Sequence, residues 1–250
     1  MKPVMKEKLN AINREFYSRF AREFSKMRSE DAYEMGRIVS GIKPGSRVLD
    51  LGCGNGRMGI RLVREDEHLR YVGIDSCEEL LDIARETAST ELDSNDASRV
   101  TFAPMDITDS QWVDAVQRES SAECFDVILL IAVLHHVPGR EDRRRILWQA
   151  REVLASNGRI IVSAWQFPQS ERMQKKIVPW STVGVDDKEL EPNDSLLHWR
   201  RGGIGYRYCH WIDETELKEL AQAANLSLLE TFRAGGYEGN LSLYGVLSRA

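Results

Sequence analysis

The ten residues from Val48 to Arg57 read VLDLGCGNGR and decide the fold class of this chain. A short apolar run is followed at once by three glycines at alternate positions, and the next stretch, GRMGIRLVRE, is amphipathic. Glycines allow a sharp turn and a close approach of a ligand to the backbone, while the helix beyond offers N–H groups to an anionic atom. The stretch therefore predicts a strand, a tight turn and a helix, with a small ligand above the turn.

Outward from this turn, short β-branched runs alternate with amphipathic stretches. The strand-like runs between residues 47 and 167 are RVLDL, RYVGID, RVTFAPMD, FDVILLIAV and GRIIVSAWQF. The run from Val127 to Ile131 is apolar at every position, which is typical of a parallel strand covered by helices on both faces of its sheet. The sequence thus predicts an α/β fold with an open, doubly wound, mostly parallel sheet.

Composition excludes several classes of protein. The 250 residues are 42% hydrophobic and 29% charged, as in an ordinary globular domain. The longest apolar run has eight residues, Val127 to Leu134, where a membrane helix needs about 20. The beginning of the chain, MKPVMKEKLN, lacks the apolar stretch of a secretory signal. We therefore expect neither membrane insertion nor secretion.

The cysteines and the net charge indicate the cellular location and limit the classes of partner. Four cysteines at irregular spacing, without a C-x-x-C pair, predict neither a disulfide framework nor a metal site, and they favour a reducing, cytoplasmic location. The formal net charge of −5 gives no overall attraction for nucleic acid, so any such contact needs a local basic face. The cysteines are Cys53, Cys77, Cys124 and Cys209.

Two regions outside the alternating core stand out. Between Leu9 and Met27, four apolar side chains recur at intervals of four residues, which predicts a helix with one aromatic side. Residues 168–205 are rich in proline and glycine with weak periodicity, which is long for a connecting loop without a purpose. The apolar side chains of the helix are Ile12, Phe16, Phe20 and Phe24.

We expect a single domain in four parts. The chain closes with a helix near Asp213 to Ala224 and two β runs, Ser227 to Phe232 and Leu241 to Leu247, which Ala234-Gly235-Gly236 separates as a hairpin turn would. The parts are an N-terminal helical lid (1–41), a ligand-binding core (42–167), a substrate-side insertion (168–212) and a final helix with a β-hairpin (213–250).

Three aspartates follow successive strands of the predicted sheet. Asp50, Asp75 and Asp106 come at or just after the ends of the first three strands, and ligands of open α/β sheets bind at that edge. Asp50 would oppose a pyrophosphate but suits an ammonium group, Asp75 can accept ribose hydroxyls, and Asp106 can accept an adenine amino hydrogen. Residues 54–59 also satisfy G-x-G-x-x-G, which alone would indicate a dinucleotide, and each acid alone could be a cap or turn residue. Together they favour a nucleoside ligand that carries an amino acid.

These motifs resemble the class I S-adenosylmethionine-dependent methyltransferases. LDLGCGNGR, GID, MDI and FDVILLIAVLHHV are similar to the family's successive motifs from about residue 47 to residue 167. The resemblance implies a seven-stranded sheet with a final antiparallel hairpin, and S-adenosylmethionine as the cofactor. It assigns the glycine turn and Asp50 to the methionine moiety, Asp75 to the ribose and Asp106 to adenine. The implied cofactor-binding residues are Asp50, Gly52, Cys53, Gly54, Asn55, Gly56, Asp75, Ser76, Met105, Asp106, Ile107 and Ile131.

Further segments are similar to one branch, the wobble-uridine tRNA methyltransferases that esterify a carboxymethyl group. The resemblance implies tRNA as the acceptor and, as a partner, a small zinc-binding activator subunit. The similar segments are IAVLHH at 131–136, VPW at 178–180, RYCH at 207–210 with the following DETEL, and a leading helix with Tyr17, Phe20, Ala21, Phe24, Ser25 and Arg28.

The acceptor decides which side chains the reaction needs. Methyl transfer from a sulfonium is an in-line displacement, so the protein must align the reactants and exclude water. A carboxylate is already ionised near neutral pH, so Arg28 and Arg207 would only hold it while Tyr208 and His210 position the base. A phenol or an amine would instead need a general base, and the predicted candidates are His135 and His136. The two histidines could also cap the loop before Pro138.

Three functions remain open from the sequence. They are a tRNA methyltransferase, a small-molecule O- or N-methyltransferase, and a non-catalytic cofactor-binding module that acts through a partner. The acidic net charge favours a small molecule. A tRNA would require a basic face built from Lys175, Lys176, Arg200, Arg201 and the run Arg143 to Arg145.

Overall fold

The computed structural model describes residues 1–27, 33–120, 124–236 and 238–250. Arg28, a predicted site residue, lies outside these ranges. The strands are β1 (Arg47–Leu51), β2 (Arg70–Asp75), β3 (Val100–Pro104), β4 (Phe125–Ile131), β5 (Leu154–Trp165), β6 (Ile177–Val178), β7 (Asp194–Trp199), β8 (Gly205–His210), β9 (Leu226–Ala234) and β10 (Ser242–Arg249). The helices are α1 (Pro3–Ser25), α2 (Tyr33–Ser40), α3 (Arg57–Glu65), α4 (Glu78–Glu91), α5 (Ser94–Ala97), α6 (Trp112–Ser120), α7 (Arg140–Glu152), α8 (Glu171–Gln174) and α9 (Glu214–Ala223).

The main sheet confirms the predicted α/β architecture. Within the described residues it has seven strands in the order β3-β2-β1-β4-β5-β10-β9. The first five strands are parallel, and β10 is antiparallel to both β5 and β9. The predicted final hairpin therefore exists, with Gly235 and Gly236 at positive φ between its strands.

Helices cover both faces of the sheet, which explains the continuous apolar strands. Successive side chains of a strand point to opposite faces, so Leu49 and Ile128 join a core with α6, α7 and α9, while Val48 and Leu129 join one with α2, α3 and α4. Among the described residues, no helix combines the length and the apolar character needed to cross a membrane.

The final helix begins where its sequence indicates. Asp213 precedes α9 and its side chain accepts a hydrogen bond from the N–H of Glu216, as expected of an N-terminal cap. The helix packs on the final hairpin and places Leu217, Leu220 and Ala221 in the core. The predicted helix from Asp213 to Ala224 is confirmed within one residue at each end.

The insertion forms a small sheet that the sequence does not predict. Strands β6, β7 and β8 make an antiparallel sheet in that order. Residues 168–205 were predicted only as a substrate-side insertion with weak apolar periodicity. The buried side chain of Asp194 on β7 interrupts that periodicity, and its partners Tyr208 and His210 lie on β8.

The leading helix α1 lies along the edge of this small sheet. It begins at Pro3, earlier than the predicted Leu9, and bends at Phe20, which has non-helical backbone angles. The side chain of Asn13 replaces a neighbouring strand for β8: its Oδ1 accepts from the Tyr208 N–H at 2.9 Å and its Nδ2 donates to the Tyr208 carbonyl at 3.3 Å. The predicted aromatic side of the helix is buried, with Phe16 and Phe20 packed on Trp199.

Candidate functional site

A cavity of about 440 Å³ lies at the carboxyl edge of the main sheet. The loops after β1, β2, β3 and β4 form its floor and α1 covers it. Every predicted cofactor-binding residue except Gly56 lines the cavity. Gly56 instead turns the chain into α3 at a φ of 71°, and a Cβ there would lie 2.6 Å from the Phe102 ring. The lining residues among those predicted are Asp50, Gly52, Cys53, Gly54, Asn55, Asp75, Ser76, Met105, Asp106, Ile107 and Ile131.

N–H groups of the glycine turn donate hydrogen bonds to acceptors within the protein. The N–H of Cys53 donates to the Ile74 carbonyl at 3.0 Å, and the N–H of Gly56 donates to the Cys53 carbonyl at 3.1 Å. The N–H of Gly54 donates to Asp75 Oδ2 at 2.8 Å. A pyrophosphate would need such donors for itself, so the turn is not built to bind a dinucleotide through its phosphates.

Asp50 places a buried acid at the cavity floor. Its carboxylate is 4% exposed and accepts a hydrogen bond from the Tyr71 hydroxyl at 2.7 Å. Burial raises the pKa of Asp50 to about 7, against the lowering effect of the Tyr71 hydrogen bond and with a smaller raising effect of Asp75. A cation in the cavity would favour the charged form of this carboxylate. The floor therefore suits an ammonium group and opposes an anion.

Asp75 and Asp106 accept hydrogen bonds within their turns and also line the cavity. Asp75 accepts the N–H groups of Gly54 at 2.8 Å and of Cys77 at 2.9 Å, and burial raises its pKa. Asp106 uses one oxygen, Oδ1, for both the N–H and the hydroxyl of Thr108, at 2.8 and 2.7 Å. A carboxylate has about four acceptor positions, so these bonds orient each carboxylate and leave acceptor positions for hydroxyl or amino groups of a ligand.

The two histidines after β4 have different environments. His135 is fully buried, with its ring 4.8 Å from that of Trp165, whereas His136 lines the cavity. His136 Nδ1 lies 2.9 Å from the Tyr208 carbonyl, and its Nε2 lies 2.9 Å from the Tyr17 hydroxyl. A carbonyl can only accept, so Nδ1 carries a hydrogen and Nε2 of a neutral His136 accepts from Tyr17.

Arg207, a predicted acceptor-binding residue, does not line the cavity but contacts Trp165 behind this wall. Its side chain is 2% exposed, and its guanidinium carbon lies 4.6 Å from the Phe16 ring, 4.8 Å from Trp165 and 5.4 Å from Trp199. Its Nε is buried without a hydrogen-bond partner, and no carboxylate of the described residues pairs with it. The ring of Trp165 also lies 5.5 Å from that of His136. Trp165 therefore connects the cavity wall to an uncompensated buried cation.

Tyr208 and His210 lie away from the cavity. The Tyr208 hydroxyl donates to Asp194 Oδ1 at 2.7 Å, and His210 contacts Asp194 at 2.7 Å and Glu216 at 2.9 Å. Arg143 completes this buried cluster, 3.2 Å from His210 Nε2. The cluster joins the small sheet to α7 and α9, so the predicted contact of both side chains with an acceptor base has no counterpart in the cavity.

The arginines of α7 also differ from their prediction. A basic face for tRNA would need Arg143 at the surface, but Arg143 is 1% exposed and pairs with Glu191 at 2.8 Å. Arg144 pairs with Glu141, and Arg145 pairs with Asp142 at 3.1 Å. The run from Arg143 to Arg145 therefore contributes no uncompensated charge to a basic face.

Two groups of side chains have the composition of a metal site. His135, His136 and Cys209 have ligand atoms within 4.8 Å of one another, and so do Glu191, Asp194 and His210. Burial raises the pKa of Cys209 to about 12, which keeps its thiol protonated. In the second group the Arg143 guanidinium would repel a cation. His136 of the first group and all three residues of the second group have their ligand atoms in hydrogen bonds within the protein.

Sequence reasoning predicted α1 as a lid but missed the polar face with which it lines the cavity. Apart from Phe24, the lining side chains of this helix follow an i, i+3, i+4, i+7, i+8 pattern, which is one face of a helix. That polar face lies beside the aromatic one, and its pattern could have identified it. The residues are Asn10, Asn13, Arg14, Tyr17 and Ser18.

The residues present fit a nucleoside that carries a positive charge. The buried acid Asp50 lies on the floor, acceptor positions remain on Asp75 and Asp106, and a Cβ at Gly54 would meet nothing within 4 Å. Such a ligand in an open α/β sheet is characteristic of one class, the S-adenosylmethionine-dependent methyltransferases. The chain belongs to the family described as "Methyltransferase domain", whose sequence model matches residues 42–225. S-adenosylmethionine is its cofactor.

Named relatives of this chain have low sequence identity to it. The tRNA (carboxymethyluridine(34)-5-O)-methyltransferase of Schizosaccharomyces pombe is 26% identical over 231 residues, which cover 88% of this chain and 91% of that protein. The mouse protein named probable tRNA methyltransferase 9B is 27% identical over 185 residues, which are 73% of this chain but 36% of the mouse protein. The chain thus spans little more than a third of the mouse relative that it matches. The 27-O-demethylrifamycin SV methyltransferase of Amycolatopsis mediterranei is 33% identical over 119 residues, 48% of this chain and 38% of that one.

Solved structures share the fold. The CcbJ methyltransferase of Streptomyces caelestis superposes with a TM-score of 0.62 at 20% identity, over 89% of this chain and 97% of that one. The magnesium protoporphyrin IX methyltransferase of Synechocystis, solved with bound S-adenosylhomocysteine, gives 0.62 at 17% identity over 100% of both chains. These structural similarities support the fold and do not identify the methyl acceptor.

Proposed function

We propose that this chain transfers the methyl group of S-adenosylmethionine to a carboxylate oxygen on a carboxymethyl-modified wobble uridine of tRNA. The observation that carries this proposal is Arg207, a buried guanidinium without a carboxylate partner among the described residues. A buried charge without a counter-ion is costly. A carboxylate of the acceptor would remove that cost and match the paired donors of a guanidinium.

The surroundings of Arg207 favour this acceptor. The rings of Phe16, Trp165 and Trp199 surround the guanidinium and shield it from water. Trp165 contacts His136 of the cavity wall as well, so a group held by Arg207 would lie next to the cofactor cavity. The aromatic rings would also stack on an unpaired base. The named activity of the Schizosaccharomyces pombe relative supports the same acceptor.

The reaction needs alignment and a dry site more than it needs a base. The cofactor supplies a methyl group on a positively charged sulfur. As the acceptor oxygen forms its bond to the methyl carbon, the carbon–sulfur bond breaks and its electron pair stays on the sulfur. A sulfonium and a carboxylate become a thioether and an ester, so charge disappears and no proton moves. A low-dielectric site favours such a step, and Arg207 would hold the carboxylate in line.

The test uses bulk tRNA in which mild alkali has converted methyl esters to carboxylates. We expect labelled methyl groups to enter this tRNA and to be released again by alkali. Arg207→Met should lower the turnover by a hundredfold or more, on the scale of about 3 kcal/mol for a lost charged hydrogen-bond pair, with cofactor affinity unchanged. The matched control is Arg159→Met, which removes an exposed arginine of β5. Unlabelled tRNA, or full activity of Arg207→Met, would refute the proposal.

One observation favours a second candidate, a small phenol or amine acceptor. Nε2 of a neutral His136 accepts the Tyr17 hydroxyl hydrogen at the cavity wall, which is the arrangement of a general base. With such an acceptor, His136→Gln would strongly lower turnover and would shift the pH profile of the residual activity. With a carboxylate acceptor, turnover of His136→Gln would keep the wild-type pH dependence.

The partner implied by resemblance also stays a prediction. Strand β9 lies at the edge of the main sheet, and Leu229 on it is 56% exposed. Co-expression with a small zinc-binding activator subunit tests this partner. A gain in tRNA methylation with the subunit present would support it, and equal activity of the chain alone would argue against it.

A further inference from the structure

A set of basic side chains, exposed except for the half-buried Lys176, surrounds the turn between β7 and β8. They come from three separate elements, α1, the end of α8 and the β7–β8 turn. No carboxylate of the described residues forms an ion pair with any of them. We name these residues the insertion patch: Arg19, Arg172, Lys175, Lys176, Arg200 and Arg201.

The arginines of α7, in contrast, form ion pairs with carboxylates. Arg140 pairs with Glu219 at 2.8 Å, and Arg151 pairs with Glu152 at 2.9 Å. Arg144 pairs with Glu141 on the same helix. The formal charge of −5 is therefore distributed unevenly. The insertion patch stays positive because none of its side chains forms an ion pair with a carboxylate of the described residues, although the Glu23 side chain lies against Gly202 at the tip of the turn.

The patch holds like charges close together. Burial lowers the pKa of Lys176, and the positive charges of Arg207, Arg172 and Arg201 lower it further. Such repulsion is relieved when an anion binds between the cations. The side chains of Arg172, Arg200 and Arg201 are exposed, so a large anion can reach them from solvent.

The patch is connected to the cofactor cavity through α1. The β7–β8 turn and the start of β8 lie so close to α1 that a Cβ at Gly202 would meet Glu23 at 2.8 Å and a Cβ at Gly205 would meet Phe20 at 2.4 Å. The Trp199 indole donates to the Arg201 carbonyl. Another face of α1 places Tyr17 in the cavity wall. One helix thus contacts both the patch and the cavity.

We infer that the insertion patch binds the phosphate backbone of the RNA that carries the methyl acceptor. This inference rests on the proposed function, because a small acceptor would not reach the patch. Cations spread over three elements match a chain of phosphodiesters better than a single phosphate, and each phosphate contact releases counter-ions. Arg207 lies behind the patch. One RNA strand could therefore place its acceptor carboxylate at Arg207 while its phosphate backbone crosses the β7–β8 turn.

The test measures binding of an unmodified tRNA transcript at several salt concentrations. Arg200→Gln/Arg201→Gln should weaken binding about tenfold near 0.1 M salt and lower the salt slope by about 1.4 to 1.8, since each of the two phosphate contacts contributes about 0.7 to 0.9. Lys175→Gln/Lys176→Gln changes a different element and should act in the same direction. The matched control, Arg144→Gln/Arg151→Gln, removes the same charge from α7 and should leave affinity and slope at the wild-type values.

A second readout separates this inference from the proposed function. Methylation of the free carboxymethyluridine nucleoside does not require the patch, so the patch variants should methylate it at the wild-type rate. If the patch variants bind the transcript more weakly but the wild type methylates neither tRNA nor nucleoside, the patch remains an RNA-binding surface and the proposed acceptor is rejected. Transcript binding that is absent, unchanged in both patch variants, or weakened equally in the α7 control would overturn the inference.

Discussion

The hydroxyl of Tyr71 on β2 donates a hydrogen bond of 2.7 Å to the carboxylate of Asp50 on the neighbouring strand β1. The Tyr71 ring is buried, and a Cβ at Gly59 would lie 2.3 Å from it, so the glycine is what lets α3 pack on this ring. The bond partly offsets the cost of burying the Asp50 charge, yet the pKa of Asp50 still stands at about 7. The cavity floor thus holds an acid that changes charge near neutral pH.

Cofactor affinity should fall as the solution becomes more acidic. Below pH 7 the empty cavity holds a protonated Asp50, and a positively charged ligand prefers the ionised form, so binding releases a proton. We expect affinity to drop by up to about tenfold per pH unit below 7. Titration calorimetry between pH 5.5 and 8 in buffers of different ionisation heat measures both effects. In Asp50→Asn the dependence should vanish, and an equally steep dependence there would assign it to another group.

Asp50→Asn should stabilise the protein without its cofactor. The folded pKa of about 7 lies above the ordinary value of 3.8, so the stabilising effect of the bound proton is complete below pH 3.8 and lost as pH rises through 7. At pH 8 the buried charge costs up to about 4 kcal/mol of unfolding free energy, and asparagine can still accept from Tyr71. Urea denaturation at pH 8 measures the gain. A variant less stable than wild type would contradict the assigned burial cost.

Asp75→Ala should weaken binding of S-adenosylmethionine by about 1.5–3 kcal/mol, the usual range for a hydrogen bond to a charged group. The substitution also removes the acceptor for the N–H groups of Gly54 and Cys77. Asp75→Asn keeps one acceptor oxygen and should lose less. Calorimetry at constant pH compares the three proteins, and equal affinities would remove Asp75 from the cofactor site.

The leading helix α1 is predicted to act as a lid. Asn13 fixes it to β8, whereas the backbone bend at Phe20 separates its last turn from the rest. Lids commonly close when a ligand binds, so hydrogen exchange in residues 9–27 should slow when cofactor and acceptor are both present. Protection that is already maximal in the protein alone would make α1 an ordinary part of the core.

The buried cluster around His210 should make stability depend on pH. Burial by itself lowers the pKa of His210, but hydrogen bonds to Asp194 and Glu216 raise it above the ordinary 6.5. Its contribution is therefore complete below pH 6.5 and is lost as pH rises through the raised value. Thermal unfolding at pH 6 and pH 9 should show a larger fall for wild type than for His210→Gln. Equal falls would show that His210 does not titrate in this range.

The sequence by itself determined the sheet and the edge that binds the cofactor. Strand and helix patterns are local, since they depend on apolar periodicity within a few residues. The position of Asp50, Asp75 and Asp106 at successive strand ends then follows from parallel topology alone, because the carboxyl ends of such strands meet at one edge. The same locality made α9 and its cap at Asp213 predictable.

Only the tertiary structure decided what the acceptor side contains. The contacts there join distant parts of the chain: Arg143 meets His210 across 67 residues, and Tyr17 meets His136 across 119. No local pattern states that Arg143 is paired and buried while Arg207 is buried without a carboxylate partner in the part of the chain that the structure describes. Whether a charged side chain is solvated, neutralised or available to a ligand depends on the groups that folding brings beside it, and sequence spacing does not contain that information.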